Sequence, residues 1–205
     1  MKRAIRTLLL LAGPCLILSA CAAGSTLYVP GDLTRPAGEV APSGRAPQVV
    51  VADFSFTPVG EGVIGRDYDR ARTIVWSGEP GKTMADLVAA VLVERGVPTV
   101  RQRAGAKTVE TAPVRISGVL RRFEVNARRT GNFTVGTEAT VSLTITGEGQ
   151  GISGSLERTV TSTASLSDFF PTPDDVRQAL MTTANTVAEE AARTLIEAKV
   201  VSPSP

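Results

Sequence analysis

The chain has 205 residues, with 22 Lys and Arg, 20 Asp and Glu, two Cys, no His, and a formal net charge of +2 at pH 7. This composition excludes His-based catalytic triads, imidazole metal sites and a framework of several disulfides. Removing residues 1–20 takes away three basic residues and no acidic one, which leaves a net charge of −1. Nothing global therefore indicates a nucleic-acid partner.

The N-terminus has the layout of a secretory signal peptide. Lys2, Arg3 and Arg6 precede the apolar run LLLLAGPCLIL, which is shorter than the roughly 20 residues of a membrane span. The following LSAC, ending at Cys21, resembles the bacterial lipobox, whose cysteine is acylated and becomes the first mature residue. We expect residues 1–20 to be cleaved and Cys21 to carry diacylglyceryl and N-acyl lipid, with no other cofactor. The alternative is that Cys21 is simply a small residue near an ordinary cleavage site.

The rest of the chain divides into three parts. Residues 21–47 contain many Pro and Gly and few large apolar residues, which predicts a disordered tether behind the lipidated cysteine. Residues 48–199 are long enough for one domain with its own core. Residues 200–205 are predicted to be a disordered tail.

The first half of the domain predicts two strands and a helix. QVVVADFSF and ARTIVWS are typical of strands, and the intervening GEGVIGRDYDR is predicted to be a loop. In TMADLVAAVLVERG the apolar residues share a helical stripe, with Thr83 as the expected N-cap and Gly96 as the stop.

The same region contains GEPGKTMADLV, whose GKT is the ending of a nucleotide-binding P-loop. The first glycine of that pattern would fall on Trp76, and a Trp disfavours the backbone freedom that the loop requires. A candidate Walker B strand, VVVAD, precedes the segment instead of following it. We therefore expect a turn followed by a helix, and no nucleotide bound through Lys82.

The second half predicts an antiparallel meander and a closing helix. In PVRISGVLRRFEV the apolar phase changes part-way, which indicates a β-bulge near Gly118. EATVSLTIT alternates cleanly, and a weaker strand follows from about Ile152 to Thr163. The last helix begins at TPDDV, with Thr172 as N-cap and Pro173 in the first position. The expected fold is α+β, a two-layer domain with two helices on one face of a mostly antiparallel sheet.

The order of these pieces resembles the YajG-type envelope lipoproteins. The pieces are a lipobox, a tether, a first strand, the helix DLVAAVLVERGVPTV, the strands GVLRRFEV and ATVSLTIT, and the helix ALMTTANTVAEEA. The layout is also similar to auxiliary lipoproteins of lipid-transporting ABC systems, which implies a non-enzymatic subunit of a transport complex. Of the residues, only Cys21 carries over. Ala22 after it resembles the pattern of lipoproteins sent to the periplasmic face of the bacterial outer membrane.

Two sets of charged residues are candidate sites. Arg121, Arg122, Arg128 and Arg129 flank Glu124 and could contact anionic headgroups or an acidic partner, or simply form a solvated hairpin end. A second set of carboxylates could serve acid/base catalysis, but we interpret them as loop residues: Asp53, Glu61, Asp67 and Asp69.

The leading hypothesis is a non-catalytic binding or assembly module, anchored to the membrane by lipid and bound to an envelope protein partner. If the resemblance to the auxiliary lipoproteins of lipid-transporting ABC systems holds, the protein is an accessory subunit of an envelope lipid transport system. The alternatives are a cell-wall-associated enzyme that uses carboxylates, or a peptidoglycan-binding lipoprotein. In SDFFPTP, we expect one of Phe169 and Phe170 to pack against the last helix.

Overall fold

The structure, a computed structural model, describes residues 26–31, 48–57, 62–105, 113–149, 156–168 and 171–203. Within these ranges it contains nine strands and two helices. The helices are α1 (Pro80–Glu94) and α2 (Pro173–Glu197), and neither has the length and hydropathy needed to cross a membrane. The strands are β1 (Thr26–Val29), β2 (Val49–Ala52), β3 (Ser55–Phe56), β4 (Val63–Asp67), β5 (Arg72–Trp76), β6 (Thr99–Gln102), β7 (Val114–Arg129), β8 (Val135–Gly149) and β9 (Leu156–Asp168).

The three longest strands form the predicted antiparallel meander, in the order β7, β8, β9. Strand β8 alternates as expected, with one face buried in the core: Ala139, Val141, Leu143 and Ile145. The opposite face carries hydroxyl groups that meet those of β9 in cross-strand pairs: Thr140 with Thr163 at 3.3 Å, Ser142 with Thr161 at 2.8 Å, and Thr144 with Thr159 at 2.9 Å. We call this the outer face of the sheet.

The predicted bulge is present in β7. The register to β8 shifts between Leu120 and Arg122, close to the expected position at Gly118. Before the shift the even-numbered Ile116 and Leu120 are buried, and after it the odd-numbered Phe123 and Val125 are buried. The extra residue thus keeps one apolar face on the core despite the change of phase.

The other edge of β7 is occupied by short strands, and the sheet is mixed. Strands β2, β3 and β4 pair in succession with β7, all parallel to it. Strand β6 pairs parallel to β2, while β5 joins β4 antiparallel and β1 joins β5 parallel. The prediction of a mostly antiparallel sheet is therefore wrong. The reason is that α1 separates the first strands from β6, and a connection through a helix returns the chain in its starting direction.

Three of these short strands were not predicted: β4, β6 and β1, the last of which lies in the predicted tether. Strand β4 lies inside GEGVIGRDYDR, which the sequence analysis interpreted as a loop, and β6 directly follows α1. Gly65 explains how β4 can pair with β7, because a Cβ at this position would lie 1.6 Å from the carbonyl oxygen of Val125. Because a glycine takes the place of an apolar side chain in β4, the strand does not show the apolar alternation by which strands are predicted.

Two boundary predictions are corrected by the structure. Part of the predicted 21–47 tether is strand β1, in which Leu27 and Val29 are buried. In the predicted tail 200–205, Val200 and Val201 are buried and their N–H groups point to the carbonyl oxygen of Leu195, at 3.0 and 3.4 Å. The signal peptide, Cys21, Glu61, Phe169 and Phe170 lie outside the described residues.

The helices differ in how well their starts were predicted. Helix α2 begins as expected: the Thr172 hydroxyl accepts from the N–H of Asp175, and the Asp175 carboxylate accepts from the N–H of Thr172. Helix α1 begins earlier than expected, at Pro80 with Glu79 as N-cap, so Thr83 is not the cap. Proline at the first position is favourable there, since its missing N–H would have had no helical partner. The helices contact each other, and both contact β7.

Candidate functional site, a groove lined by arginines

A groove of about 470 Å³ lies where β4 pairs with β7, on the outer face of the sheet. Its apolar lining includes Phe56 and Phe123, whose rings meet edge to face with centroids 6.5 Å apart. The charged side chains that line it are Arg66, Arg121, Arg122 and Glu124. We call this site the arginine groove.

The bulge explains why two consecutive arginines line the same groove. Adjacent residues of a regular strand point to opposite faces of the sheet, which would bury either Arg121 or Arg122. The extra residue between Leu120 and Arg122 removes Arg121 from this alternation. The bulge that keeps the apolar face of β7 on the core therefore also concentrates positive charge on the outer face.

The arginines of the groove are only weakly engaged within the protein. Arg122 Nη1 lies 3.8 Å from Glu124 Oε1, and both side chains are largely exposed. Arg121 Nε donates a long hydrogen bond of 3.4 Å to Thr144 Oγ1. Arg66 forms no ion pair with any other residue that the structure describes. Most guanidinium donors thus remain available for a carboxylate or phosphate, which their planar fork suits.

The turn between β4 and β5 closes one end of the groove and is held by a buried carboxylate. Asp67 is fully buried and pairs with Arg72 at 2.6 Å. Its other oxygen accepts the backbone N–H groups of Asp69 and Arg70, at 3.1 and 3.2 Å. The N–H of Tyr68 donates to Ala127 on β7. The turn is therefore fixed to the end of β7.

The remaining two predicted arginines bind this turn. The Arg128 guanidinium lies 4.7 Å from the centre of the Tyr68 ring, a cation–π contact. Arg129 Nε donates to Asp69 Oδ1 at 2.9 Å, and the Arg129 side chain remains 64% exposed. Because Tyr68 also lines the groove, all four arginines chosen from the sequence belong to one basic surface. Arg121 and Arg122 line the groove, while Arg128 and Arg129 contact the turn at its end.

The three aspartates considered for catalysis are each paired with an arginine, while Glu61 lies outside the described residues. Asp67 pairs with Arg72 and Asp69 with Arg129, as described above, while Asp53 pairs with Arg101 at 2.7 Å. Burial raises the pKa of Asp53, but a hydrogen bond from the Ala104 N–H and the Arg101 guanidinium outweigh it, so the pKa is lowered. Asp53 also lies away from the turn that carries the other two, in a second cavity.

This second cavity, of about 450 Å³, lies at the start of α1, and Gly81 and Lys82 of the GKT segment line it. Lys82 Nζ binds Glu79 Oε1 at 2.6 Å, and this hydrogen bond raises the pKa of Lys82. Gly81 packs closely against the backbone just before β3, since a Cβ on Gly81 would lie 2.1 Å from the carbonyl oxygen of Phe54. Phe56 and Ile64 line both cavities, so the second cavity adjoins the arginine groove.

The sequence analysis missed the contribution of β4 to the site. Arg66 and Tyr68 belong to the segment that was predicted to be a loop, so they could not be placed beside Arg122. The available signal was VIGRDYD itself, in which two apolar residues precede a glycine and then charges. That pattern is too short to distinguish a strand from a loop without its pairing partner.

No protein-family model matches the sequence, and no curated protein matches it. Among solved structures, the chain is similar to a protein from Xanthomonas campestris described under the family model DUF330, with 15% identity and a TM-score of 0.53 over 86% of this chain and 95% of that one. An uncharacterized protein gives 13% identity and a TM-score of 0.50, over 83% and 99%. A minor lipoprotein from Acinetobacter baumannii gives 11% identity over 77% of this chain and 98% of that one, but its TM-score of 0.41 is too low to show a shared fold. The first two similarities show a shared fold alone.

Proposed function

We propose that the protein is a lipid-anchored envelope lipoprotein that acts as a non-catalytic binding module, with the arginine groove as its binding surface. The observation that carries the proposal is the concentration of Arg66, Arg121 and Arg122 in one groove, with a single glutamate to offset them. Such a surface attracts anionic groups, and its guanidinium donors can bind them in a bidentate manner.

The anchor is proposed from the N-terminal sequence. A basic start, a short apolar run and LSAC ending at Cys21 support acylation of that cysteine. Ala22 supports an outer-membrane location on the periplasmic face. The resemblance to auxiliary lipoproteins supports a role as accessory subunit of a lipid transport system.

The ligand that we propose for the groove is an anionic group attached to an apolar body. The arginines line the polar side of the groove, while the half-buried Phe56, which packs on Phe123, supplies apolar surface, and the second cavity adjoins the groove through Ile64. A phospholipid headgroup fits this combination, and so does an acidic side chain on an envelope protein partner. Both would bind less tightly as ionic strength rises.

The ion pairs of the three aspartates favour a non-catalytic role over the carboxylate enzyme. Asp53, Asp67 and Asp69 each form an ion pair with an arginine of the same chain, so contacts within the protein already engage these carboxylates.

Vesicle binding tests the groove and its ligand class. The full chain is exported through a non-lipoprotein signal with Cys21→Ser, so that the anchor does not mask binding. We expect it to bind phosphatidylglycerol vesicles better than phosphatidylcholine vesicles, and Arg66→Gln/Arg122→Gln to weaken binding about tenfold or more. Arg115→Gln is the matched control, because Arg115 is exposed on β7 but does not line the groove.

A photocrosslinking residue in place of Asn126, which lines the groove and carries no charge, distinguishes the two ligand sources in cells. A defined protein adduct that disappears in Arg66→Gln, without vesicle binding, identifies an acidic protein partner. Vesicle binding without such an adduct identifies a headgroup. Equal behaviour of the groove variant and Arg115→Gln in both assays would disprove the role of the groove.

The anchor has a separate test. In cells that express Cys21→Ser with the native signal sequence, we expect no acylated product when labelled palmitate is supplied, and loss of the form that fractionates with the outer membrane. Unchanged labelling and fractionation would show that Cys21 is not the acylated residue.

A further inference from the structure

Strand β9 is an edge strand with an unusually open edge. Among the described residues, β9 pairs with β8 on one side and with no strand on the other, and no backbone-to-backbone hydrogen bond joins it to a described segment other than β8. It is 13 residues long, and from Thr159 to Ser167 it contains no charge and no proline. Proteins usually protect a long edge strand with charged side chains or prolines, because an open edge is a template for another strand.

Antiparallel pairing of β9 with a second copy of itself is limited to a few registers. Residues directly opposite each other must both turn their N–H and C=O groups toward the partner, or both away from it. Along one strand these two orientations alternate, so opposite residues have numbers of the same parity. The two-fold axis of such a pair must therefore pass through a residue, and not between two residues.

One of the permitted registers matches the side chains of β9. With Thr163 on the two-fold axis, Arg158 lies opposite Asp168 at both ends, and Val160 lies opposite Leu166. The other positions between Arg158 and Asp168 then pair small or hydroxyl side chains, while Leu156 and Glu157 extend beyond the paired segment. Moving the axis to Ser162 places Arg158 opposite Leu166. No other permitted register brings opposite charges together.

We propose that two copies of this chain pair antiparallel through β9, with the two-fold axis at Thr163. The pairing satisfies the outward backbone groups of both edges and joins the two sheets into one. Opposite residues in such a pair lie on the same face, so the hydroxyl-bearing outer faces become continuous. Both arginine grooves then open on the same side of the dimer, but the pairing does not depend on what those grooves bind.

Cysteine scanning along the exposed face of β9 tests the register in cells. The full lipidated chain carries one substitution at a time, Thr159→Cys, Thr161→Cys, Thr163→Cys, Ser165→Cys or Ser167→Cys, and a short bis-maleimide crosslinker is added. We expect homodimer formation to peak at Thr163→Cys. At Thr161→Cys the two cysteines are four residues apart along the strands, roughly 13 Å, and the yield should fall. The unsubstituted chain controls for Cys15 and Cys21.

The outcomes of the scan are decisive. A peak at Thr163→Cys supports the proposed dimer. A peak at any other position overturns the register, whereas a yield no higher than that of the unsubstituted chain overturns the dimer. Crosslinking to a different protein in place of a second copy overturns it as well.

Charge reversal provides an independent measurement on the detergent-solubilised protein. Arg158→Asp alone or Asp168→Arg alone places like charges opposite each other, and we expect the dimer Kd to rise about tenfold or more in sedimentation equilibrium. The double variant should return it to within about threefold. Thr163→Lys should also weaken the dimer, because it puts two cations on the axis, whereas Thr161→Lys faces Ser165 and serves as its matched control. Single reversals without effect, or a folded double variant that fails to recover, would refute the pairing.

Discussion

The two halves of the sheet are built in different ways. Strands β7, β8 and β9 are long, antiparallel and regular, with apolar side chains on the core face and hydroxyl groups on the outer face. Strands β1 to β6 have two to five residues each and pair mainly in parallel. The arginine groove, the second cavity and the Asp67–Arg72 pair lie in or beside this short-strand half, while a smaller cavity of about 340 Å³ lies between β9 and α2.

The difference shows how stability and binding are divided in this molecule. The long strands bury continuous apolar surface, which is the main favourable contribution to folding. The short strands leave gaps between them, and ion pairs fix the turns around those gaps. We therefore expect core substitutions in the long half to cost the most stability, and substitutions in the short half to alter the arginine groove as well.

Leu143→Ala should have the largest effect. Leu143 is fully buried at the centre of β8, and we expect the free energy of unfolding to fall by about 3 to 4 kcal/mol through lost burial and a cavity. Leu27→Ala, on the edge strand β1, should cost about 2 kcal/mol, because Leu27 is 7% exposed. Urea denaturation measures both. A larger loss at Leu27 would show that the short half carries more of the stability than we infer.

Asp67→Asn should lower the free energy of unfolding by about 3 kcal/mol, since it leaves Arg72, whose side chain is only 14% exposed, without its anionic partner. It should also loosen the turn that carries Tyr68 and so weaken vesicle binding. Asp69→Asn is the control in the same turn, where the exposed Arg129 partner predicts a cost of less than about 1 kcal/mol. Similar costs for the two variants would show that burial of the pair does not matter.

Gly65→Ala tests the close approach of β4 to β7. Because the new Cβ would lie 1.6 Å from the Val125 oxygen, β4 must move, and we expect a loss of about 2 to 3 kcal/mol together with weaker vesicle binding. Gly105→Ala provides the control: its Cβ meets nothing within 4 Å, but its φ of +80° predicts a loss of about 1 kcal/mol. Normal vesicle binding by a folded Gly65→Ala variant would show that binding in the groove does not depend on the close approach of β4 to β7.

Asp53 should make a smaller and pH-dependent contribution. Its pKa in the folded protein lies below the ordinary value of 3.8, so its stabilising effect is complete above that pH and is lost as the pH falls through the lowered pKa. Asp53→Asn should therefore cost about 1 to 2 kcal/mol at pH 7 and progressively less in acid. Thermal unfolding at pH 7 and pH 2.5 checks this. An equal loss at both pH values would contradict the role of the charge.

The elements that the sequence predicted well are those whose signals are local. Alternation identified β8, the phase change identified the bulge in β7, and the Thr172 and Asp175 pair identified the start of α2. The four arginines could be grouped from the sequence because they are close together in the chain, and their role as a binding surface stays a prediction. What these signals lacked was any information about pairing partners.

Periodicity, capping and charge act over a few neighbouring residues, so the sequence was enough to predict the meander, the bulge and the two helices and to group Arg121, Arg122, Arg128 and Arg129. Long-range strand pairing, in contrast, makes the sheet mixed, includes part of the predicted tether as β1 and brings Arg66 and Tyr68 to those arginines. Arg66 and Arg122 are far apart in the chain and meet only because Gly65 lets β4 approach β7. Contacts of that kind depend on which strands pair, and strand pairing between short segments is settled by packing of the whole domain and not by local sequence.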